Sequence, residues 1–555
     1  MTRVTGDTFN LIDLPWIQVR LVNGDLVQLS LTDVFERARD IKRISGDLPT
    51  QDFSILRLLL AVTYRSLKDE YFSTDDWGRY WEEGVPLDKV KAHLEQYRER
   101  FDLLHPETPF FQVADLRTAK DETKEVATLL FDVPSNNRLF SMRAGVGLES
   151  LSYAEAARWL VHLQAYDVSG IKSGAVGDRR VKGGKGYPLG VAWAGLLGGV
   201  ALEGNNLHET LLLNLVEPNE INYDDDDDAA PWELSPHTAE EDLAGQPPRG
   251  TAGLYQRLPR GPVDLFTWQS RRIRLVVTGG TITSCVVSNG DKLTPQNLFD
   301  VEPMTAWRFS EPQTKKHGIG TIYMPKEHDP SRSFWRGLSA LLPGLAVGQG
   351  GSGPAPGLVP GVISWVSRLK EGYLPSSQLI SVHAVGVLYG AQSSVVSDIV
   401  DDRLDVSIAL LRETNPALAA CAVSAVEAAE GAVLALKNLA GDLAQAAGGE
   451  GVGDRKRADE SAFYELDRLF RDWVVGLNED TDPSERLEEW RGLVRRLMWN
   501  SAEELLNQAS PAAWRGRVRD GATTLNVPLA ELRFRRGLDA ALGRSIEPIK
   551  KGGAA

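Results

Sequence analysis

Residues 416–447 read PALAACAVSAVEAAEGAVLALKNLAGDLAQAA, and this stretch decides how the C-terminal part of the chain folds. Alanine and leucine dominate it, and both sit at the favourable end of the helix scale, so one long helix is predicted. Gly448 to Gly453 breaks it. Downstream, Phe463, Leu466, Phe470, Trp473 and Leu477 recur at the spacing of one helical face, and Leu487, Trp490, Val494 and Leu497 repeat the pattern. Asp482, Pro483 and Glu485 supply an N-cap, a first-turn proline and a capping-box acid for that third helix. A fourth helix is predicted from about Pro528 to Leu542. Four amphipathic helices with short connections read as a bundle over residues 401–555. Trp473, Trp490 and Trp499 fall at helical spacing and read as core residues rather than stacking platforms.

Upstream of about Asp401 the pattern is mixed, and beyond it strand signals stop. Ile17, Val19 and Leu21 alternate as in a strand, and Asn23-Gly24 is a hairpin signal because both positions tolerate positive φ. Helical spacing follows from Thr32, a candidate N-cap, to Glu36, and again over Ile55 to Tyr64, Leu87 to Phe101 and Ser150 to Gln164. Strand runs resume at Ile273 to Val277 and Thr281 to Val287. Residues 218–261 combine the acidic run Asp224 to Asp228 with prolines and glycines, predicting a solvated, mobile insertion. The glycine-proline tract over residues 344–361 is expected to separate two helices rather than two domains. A chain of 555 residues exceeds one hydrophobic core, which stops growing at roughly 250–300 residues. The predicted class is α+β: a large mixed α/β N-terminal body over residues 1–400, then a C-terminal four-helix bundle.

With 42% hydrophobic and 25% charged residues the chain has the composition of a folded protein. No stretch approaches the roughly 18 consecutive apolar residues of a membrane span, and the N-terminus lacks a signal-peptide layout, so a cytoplasmic protein without a membrane partner is expected. The net charge of −15 argues against a uniformly basic nucleic-acid coat and leaves local contacts open. Only Cys285 and Cys421 are present, too few for a disulfide framework or a four-cysteine zinc site.

Catalytic motifs are weak. The eight histidines fall in no H-E-x-x-H spacing. His328-Asp329 matches a metal-phosphohydrolase dipeptide but has no companion ligands nearby in sequence. Gly348, Gly350 and Gly353 fit a dinucleotide fingerprint by letter, yet prolines follow where a helix should open. Gly184-Lys185 is followed by Gly186, where a phosphate loop needs Ser or Thr. The segment Val168 to Gly186 is more informative. Its glycines let backbone approach a ligand, and Lys172, Arg179, Arg180, Lys182 and Lys185 bring charge. A solvated surface loop is the plainer reading of the same composition.

Seven segments in order carry a resemblance. They are FNLIDLPWIQVR (Phe9 to Arg20), TPFFQ (Thr108 to Gln112), SGIKSG (Ser169 to Gly174), LLLNLV (Leu211 to Val216), LFTWQ (Leu265 to Gln269), GAQSSVV (Gly390 to Val396) and AFYELDRL (Ala462 to Leu469). Together they resemble CasA, the large-subunit family of the type I-E CRISPR surveillance complex, Cascade. The resemblance implies a non-enzymatic subunit without a cofactor or bound metal. Such a subunit recognises a protospacer-adjacent motif in double-stranded DNA, wedges the duplex open to start R-loop formation, and helps recruit a helicase-nuclease. Its implied partners are the other Cascade subunits, the guide RNA and the target duplex.

Residue by residue, the family's glycine loop falls on Val168, Ser169 and Gly170, with Lys172 just beyond, and its glutamine wedge on Ala391, Gln392 and Ser393. A loop meeting guide RNA and a neighbouring subunit falls on Asn136, Asn137, Arg138 and Phe140. The family's minor-groove lysine has no cleanly aligned position, and Lys292 is the candidate. Ser169 stands where some relatives have glycine, Ala391 replaces a polar neighbour of the wedge, and the zinc knuckle some relatives carry near Cys285 is absent. The competing expectations are a metal-dependent nuclease with an unrecognised centre and a helical interaction scaffold.

Overall fold

The computed structural model describes residues 8–68, 70, 73–133, 146–218, 227–242, 257–318, 320–343, 357–519 and 523–543. Two compact units emerge. One comprises Met1–Ser331, Gly348–Leu374 and Ile380–Arg403, and the other Arg332–Val347, Pro375–Leu379 and Leu404–Ala555. Residues 344–356 of the glycine-proline tract lie outside the described residues.

The first unit opens with strands β1 (Ile17–Leu21) and β2 (Leu26–Leu29), paired antiparallel through a turn at Gly24, whose φ is +97°. Strand β3 (Ile41–Ile44) pairs on the other edge of β1. The short helix between β2 and β3 starts one residue before Thr32, because Ser30 is its N-cap and forms a reciprocal capping box with Asp33. Helix α1 (Pro49–Ser66) is apolar nearly all round and is buried accordingly. The helical run from Leu87 ends at Gln96, and Arg98–Phe101 tightens into a 3-10 turn.

Helix α2 (Tyr153–Tyr166) starts at Ser152, whose hydroxyl accepts the Glu155 N–H. A two-residue ladder, β4 (Lys172–Ser173) with β5 (Lys185–Gly186), follows it. Next come β6 (Gly199–Glu203), the one-turn helix α3 (Pro262–Phe266), and the antiparallel pair β7 (Arg271–Thr278) and β8 (Thr281–Asn289). Gly279 and Gly280, at φ of 60° and 81°, make the β7–β8 turn. The long hairpin β9 (Leu379–Tyr389) and β10 (Val396–Ser407) joins β6 in a sheet of order β10-β9-β6. Strand β10 continues past Asp401, where strand signals were expected to stop.

Asp228 departs from the expectation of a solvated acidic run. It is fully buried, and its carboxylate accepts the N–H groups of Val263 and Asp264 at 2.9 and 2.8 Å, at the N-terminus of α3. Burial pushes its pKa up to about 7 despite those bonds. Cys285 and Cys421 are both buried and free, and burial raises the thiols to about 12 and about 11.

The second unit is built on α4 (Pro416–Ala447), with α5 (Val452–Val474), α6 (Pro483–Asn507) and α7 (Val527–Leu542) packed against it. Gly448 ends α4 in a left-handed cap, and Asp482 caps α6 through the N–H groups of Ser484 and Glu485. Helix α4 is long and apolar enough to cross a membrane, contrary to the reading of its sequence. Most of its alanines and leucines, among them Ala429, Ala432, Leu436 and Leu439, are instead buried in the bundle. Trp473 and Trp490 are core residues as expected, and Trp499 is half-buried against Phe534. A small strand pair, Arg517–Arg519 with Thr523–Leu525, interrupts the helical region.

One polar cluster ties the β6–β9–β10 sheet together. His383 bonds Glu203 through Nδ1 at 2.8 Å and Asp401 through Nε2 at 2.7 Å, and Arg403 bonds both carboxylates. Burial opposes charge on His383, yet the bonds to Asp401 and Glu203 hold its pKa above the usual imidazole value. Burial likewise opposes ionisation of Glu203, and His383 and Arg403 overcome it, holding the carboxyl at about 2. Asp52 on α1 goes the other way: burial pushes it up to about 7, against a hydrogen bond from Gly46 and the nearby cations.

Stability of this unit should fall on both sides of mild acidity. Below pH 4.5 the unfolded chain takes up protons that Glu203 refuses down to about 2, so stability falls with acidification. Between pH 3.8 and about 7 the folded protein keeps a proton on Asp52 that the unfolded chain has released, so stability falls as pH rises. His383 adds to that fall above the ordinary imidazole pKa. Asp52→Asn is expected to stabilise the protein at pH 8 by about 1–2 kcal/mol, allowing for solvent screening of a half-buried group. Urea midpoints at pH 5 and pH 8 check it, and an undiminished pH slope in the variant would contradict the assignment.

Candidate functional site: two joined loops

Helix α2 ends at Tyr166, and the next residues form the loop Val168-Ser169-Gly170. A helix C-terminus leaves carbonyls without partners, and here side chains from other elements take them. The Tyr389 hydroxyl donates to the Tyr166 carbonyl at 2.7 Å, and the Arg271 guanidinium donates to the Val168 carbonyl at 3.1 Å and to that of Gly190 at 3.0 Å. Arg271 also bonds the Asp167 carboxylate through Nε. Asp167 sits at the end of a helix whose dipole disfavours an anion, and two cations offset this, since Lys172 meets the same carboxylate at 2.5 Å. Burial would raise the Asp167 pKa, and Lys172 and Arg271 hold it below the usual carboxylate value.

Lys172, expected from its sequence position to contact a ligand, is therefore turned inward, its side chain 12% exposed. The neighbouring basic residues divide. Arg179 pairs with Glu240, and Arg180 pairs with Asp178 and Glu241 and donates to the Gly290 carbonyl, while Lys182 and Lys185 are exposed. Lys292 is half-buried two residues beyond Gly290, beside Asp291, which holds Arg272.

Ala391, Gln392 and Ser393 form the tip of the β9–β10 hairpin. Its base is closed by the Gly390 N–H to the Val395 carbonyl at 2.9 Å, and the Ser393 N–H bonds the Gly390 carbonyl at 2.9 Å. Gln392 and Ser393 are both left-handed, at φ of 57° and 53°, which costs roughly 1–2 kcal/mol for each non-glycine residue. Strain of this kind persists where the surroundings over-determine it, commonly at binding loops. Ala391 and Gln392 are exposed, and Ser393 is half-buried.

The two loops, far apart in sequence, meet: the Ser169 N–H donates to the Ser393 carbonyl at 2.8 Å. Ser169 is 8% exposed and belongs to this junction, whereas Gly170 is open, with nothing within 4 Å of where a Cβ would stand. Asn136, Asn137, Arg138 and Phe140 lie outside the described residues. Arg271, Asp167 and Tyr389, which build the junction, were not singled out by sequence. The only signal was the charged pair Arg271-Arg272 at the head of a strand run.

The metal-hydrolase dipeptide has other work. His328 Nε2 bonds the Gly199 carbonyl at 2.9 Å, and Asp329 caps Ser331. Among the described residues no group of three or more His, Cys, Asp or Glu side chains could hold a metal ion. A groove of about 400 Å³ lies among α4, α5 and α6, floored by Leu436, Ala440 and Leu443.

These features define an α+β protein of two units whose candidate site is a largely buried loop bonded to an exposed hairpin tip rather than a lined pocket. The profile of the CRISPR-associated protein Cse1 family matches residues 10–501, and the chain belongs to that family. A crystal structure of Thermobifida fusca Cse1 is 44% identical, with a TM-score of 0.87 over 96% of this chain and 98% of that one. The CRISPR-associated protein CasA/Cse1 of Thermus thermophilus is 33% identical over 342 residues, which span 61% of each protein. A chain of a CRISPR RNA-guided surveillance complex shares the fold, at 18% identity and a TM-score of 0.68 over 97% of this chain and 100% of that one.

Proposed function

We propose that this protein is a non-catalytic subunit of an RNA-guided surveillance complex that inspects double-stranded DNA. It reads a short motif beside the guide-matched segment through Val168, Ser169 and Gly170, and starts strand separation with Gln392. Other complex subunits, the guide RNA, the target duplex and a helicase-nuclease are its partners, in the cytoplasm. The observation that carries this reading is the Ser169–Ser393 bond, which sets a small-residue loop beside an exposed, strained glutamine tip. A narrow minor groove with a degenerate donor and acceptor pattern favours a reader made of backbone and small side chains. The open space at Gly170 suits such an approach. A wedge must offset unstacking of about a few kcal/mol per base step, and glutamine both fills the gap and bonds the exposed bases.

The test uses the complex assembled with its guide RNA and guide-matched duplexes flanked by a randomised trinucleotide. Gln392→Ala is expected to slow duplex opening about ten-fold, a fraction of the unstacking cost, and Gly170→Leu to weaken duplex binding by a similar factor. Both should assemble normally, since neither side chain is packed in the fold. Wild-type opening and binding by both variants would remove these assignments. An interaction scaffold without DNA contact predicts that outcome, together with no crosslink from residues 168–174 or 391–393 to the duplex.

A further inference from the structure

Two hydrogen bonds run between the end of α2 and the hairpin tip. The Tyr389 hydroxyl holds the Tyr166 carbonyl, and three residues on, the Ser169 N–H holds the Ser393 carbonyl. Tyr389 is the last residue of β9, next to Gly390 at the base of the tip. Its hydroxyl fits because position 195 is glycine: a Cβ there would stand 2.2 Å from it. The Phe131 ring lies edge-on to the Tyr389 ring, centroids 6.5 Å apart. From the other side Arg271 fixes Asp167, Val168 and Gly190 together.

We propose that Tyr389 and Arg271 are positioning residues that lock residues 166–170 and 389–393 into one clamp, so that a ligand seated on the first loop sets the position of the second. The proposal rests on the function argued above and adds how motif reading and strand opening are coupled. The segment 166–169 is held at both ends and along its carbonyls, so the tip cannot shift by an ångström without stretching one of the two bonds out of hydrogen-bonding range. Each bond lost frees the tip from the loop, and the glutamine then enters the duplex less often, although both loops keep the side chains that touch DNA.

The experiment measures 2-aminopurine fluorescence at the first base pair beside the motif, in the assembled complex. The flanking trinucleotide is the one the wild type selects from a randomised set. Tyr389→Phe keeps the ring and removes only the hydroxyl. It should open an intact duplex about five-fold more slowly, the scale of one hydrogen bond, and open a duplex mismatched at its first two base pairs at the wild-type rate. Arg271→Gln should behave the same way with a larger loss, and Arg271→Lys should recover part of it. Gln392→Ala is the reference. If it is slow while Tyr389→Phe is wild-type on the intact duplex, the clamp is wrong and the function stands. Equal loss by Tyr389→Phe on both duplexes also overturns the clamp, because it marks general structural damage. If Gln392→Ala itself is wild-type, the functional reading fails and the clamp falls with it.

Discussion

Glu302→Ala is expected to lower the unfolding free energy of the first unit by about 3–5 kcal/mol, the scale of a buried ion pair that loses one partner. Glu302 is fully buried, and its two oxygens take both Nη groups of Arg57 at 2.8 and 2.7 Å. The same oxygens accept the Trp193 indole N–H at 2.7 Å and the Met304 N–H at 3.1 Å. Arg57, 2% exposed, has its guanidinium 4.3 Å from the centroid of the Phe266 ring, so it has no route to water. Alanine at 302 strands a cation and two further donors in one step. Glu302→Gln should be almost as costly, since an amide N–H₂ would face donors on Arg57 and Trp193. The double variant Arg57→Met, Glu302→Leu should regain more than half of the loss, because removing both charges removes their desolvation as well. Urea denaturation of the full chain decides it, and a cost below about 1 kcal/mol for Glu302→Ala would mean the pair is not sealed from solvent. Trp193 belongs to the turn that contains Gly195, which makes room for the Tyr389 hydroxyl. The loss should therefore also loosen the junction of the two loops.

What was legible in the sequence was local. Asn23-Gly24, the alanine-leucine tract of α4 and the Asp482-Pro483 start of α6 each carry their own conformational signal, and each fixes an element near its expected place. Features that depend on a distant partner were not legible. The sequence shows Lys172 as a charge in a glycine-rich loop, and only the fold brings it onto Asp167. The same holds for Asp228, which looks like the end of a solvated acidic run until the N-terminus of α3 is folded over it. The glycine-rich segment from Val168 stands out by composition and the hairpin tip only by family resemblance, and no pattern in the chain announces that Ser169 and Ser393 bond one another. Tyr389 and Arg271 escaped for the same reason, since a tyrosine and an arginine in strand runs look like ordinary strand residues until their partners at the end of α2 are known.

The second unit illustrates this most sharply, because its core includes a residue that precedes the bundle by many positions. Trp335 is fully buried, its ring stacked on Phe470 of α5 with centroids 4.4 Å apart, and its indole N–H donates to Asp467 at 2.9 Å. Its neighbours pin the same segment. Arg336 lies 3.5 Å from the Phe463 ring centroid and bonds Glu430 of α4 at 3.1 Å, and Arg332 meets the same carboxylate. A bundle read only from residues 401–555 would leave the faces of Phe463 and Phe470 bare. Trp335→Ala in the full chain is therefore expected to destabilise this unit by about 3–5 kcal/mol, the cost of removing a large aromatic from a packed core. Trp335→Phe should cost about 1 kcal/mol, because the stack survives and the lost hydrogen bond leaves Asp467 still paired with Arg471. Hydrogen exchange separates these outcomes. The alanine variant should lose amide protection throughout α5 and the adjoining face of α4, while protection in α1 and α2 stays at the wild-type level. Unchanged protection in α5 would show that residues 332–343 only cover the bundle and that its four helices close their core without them.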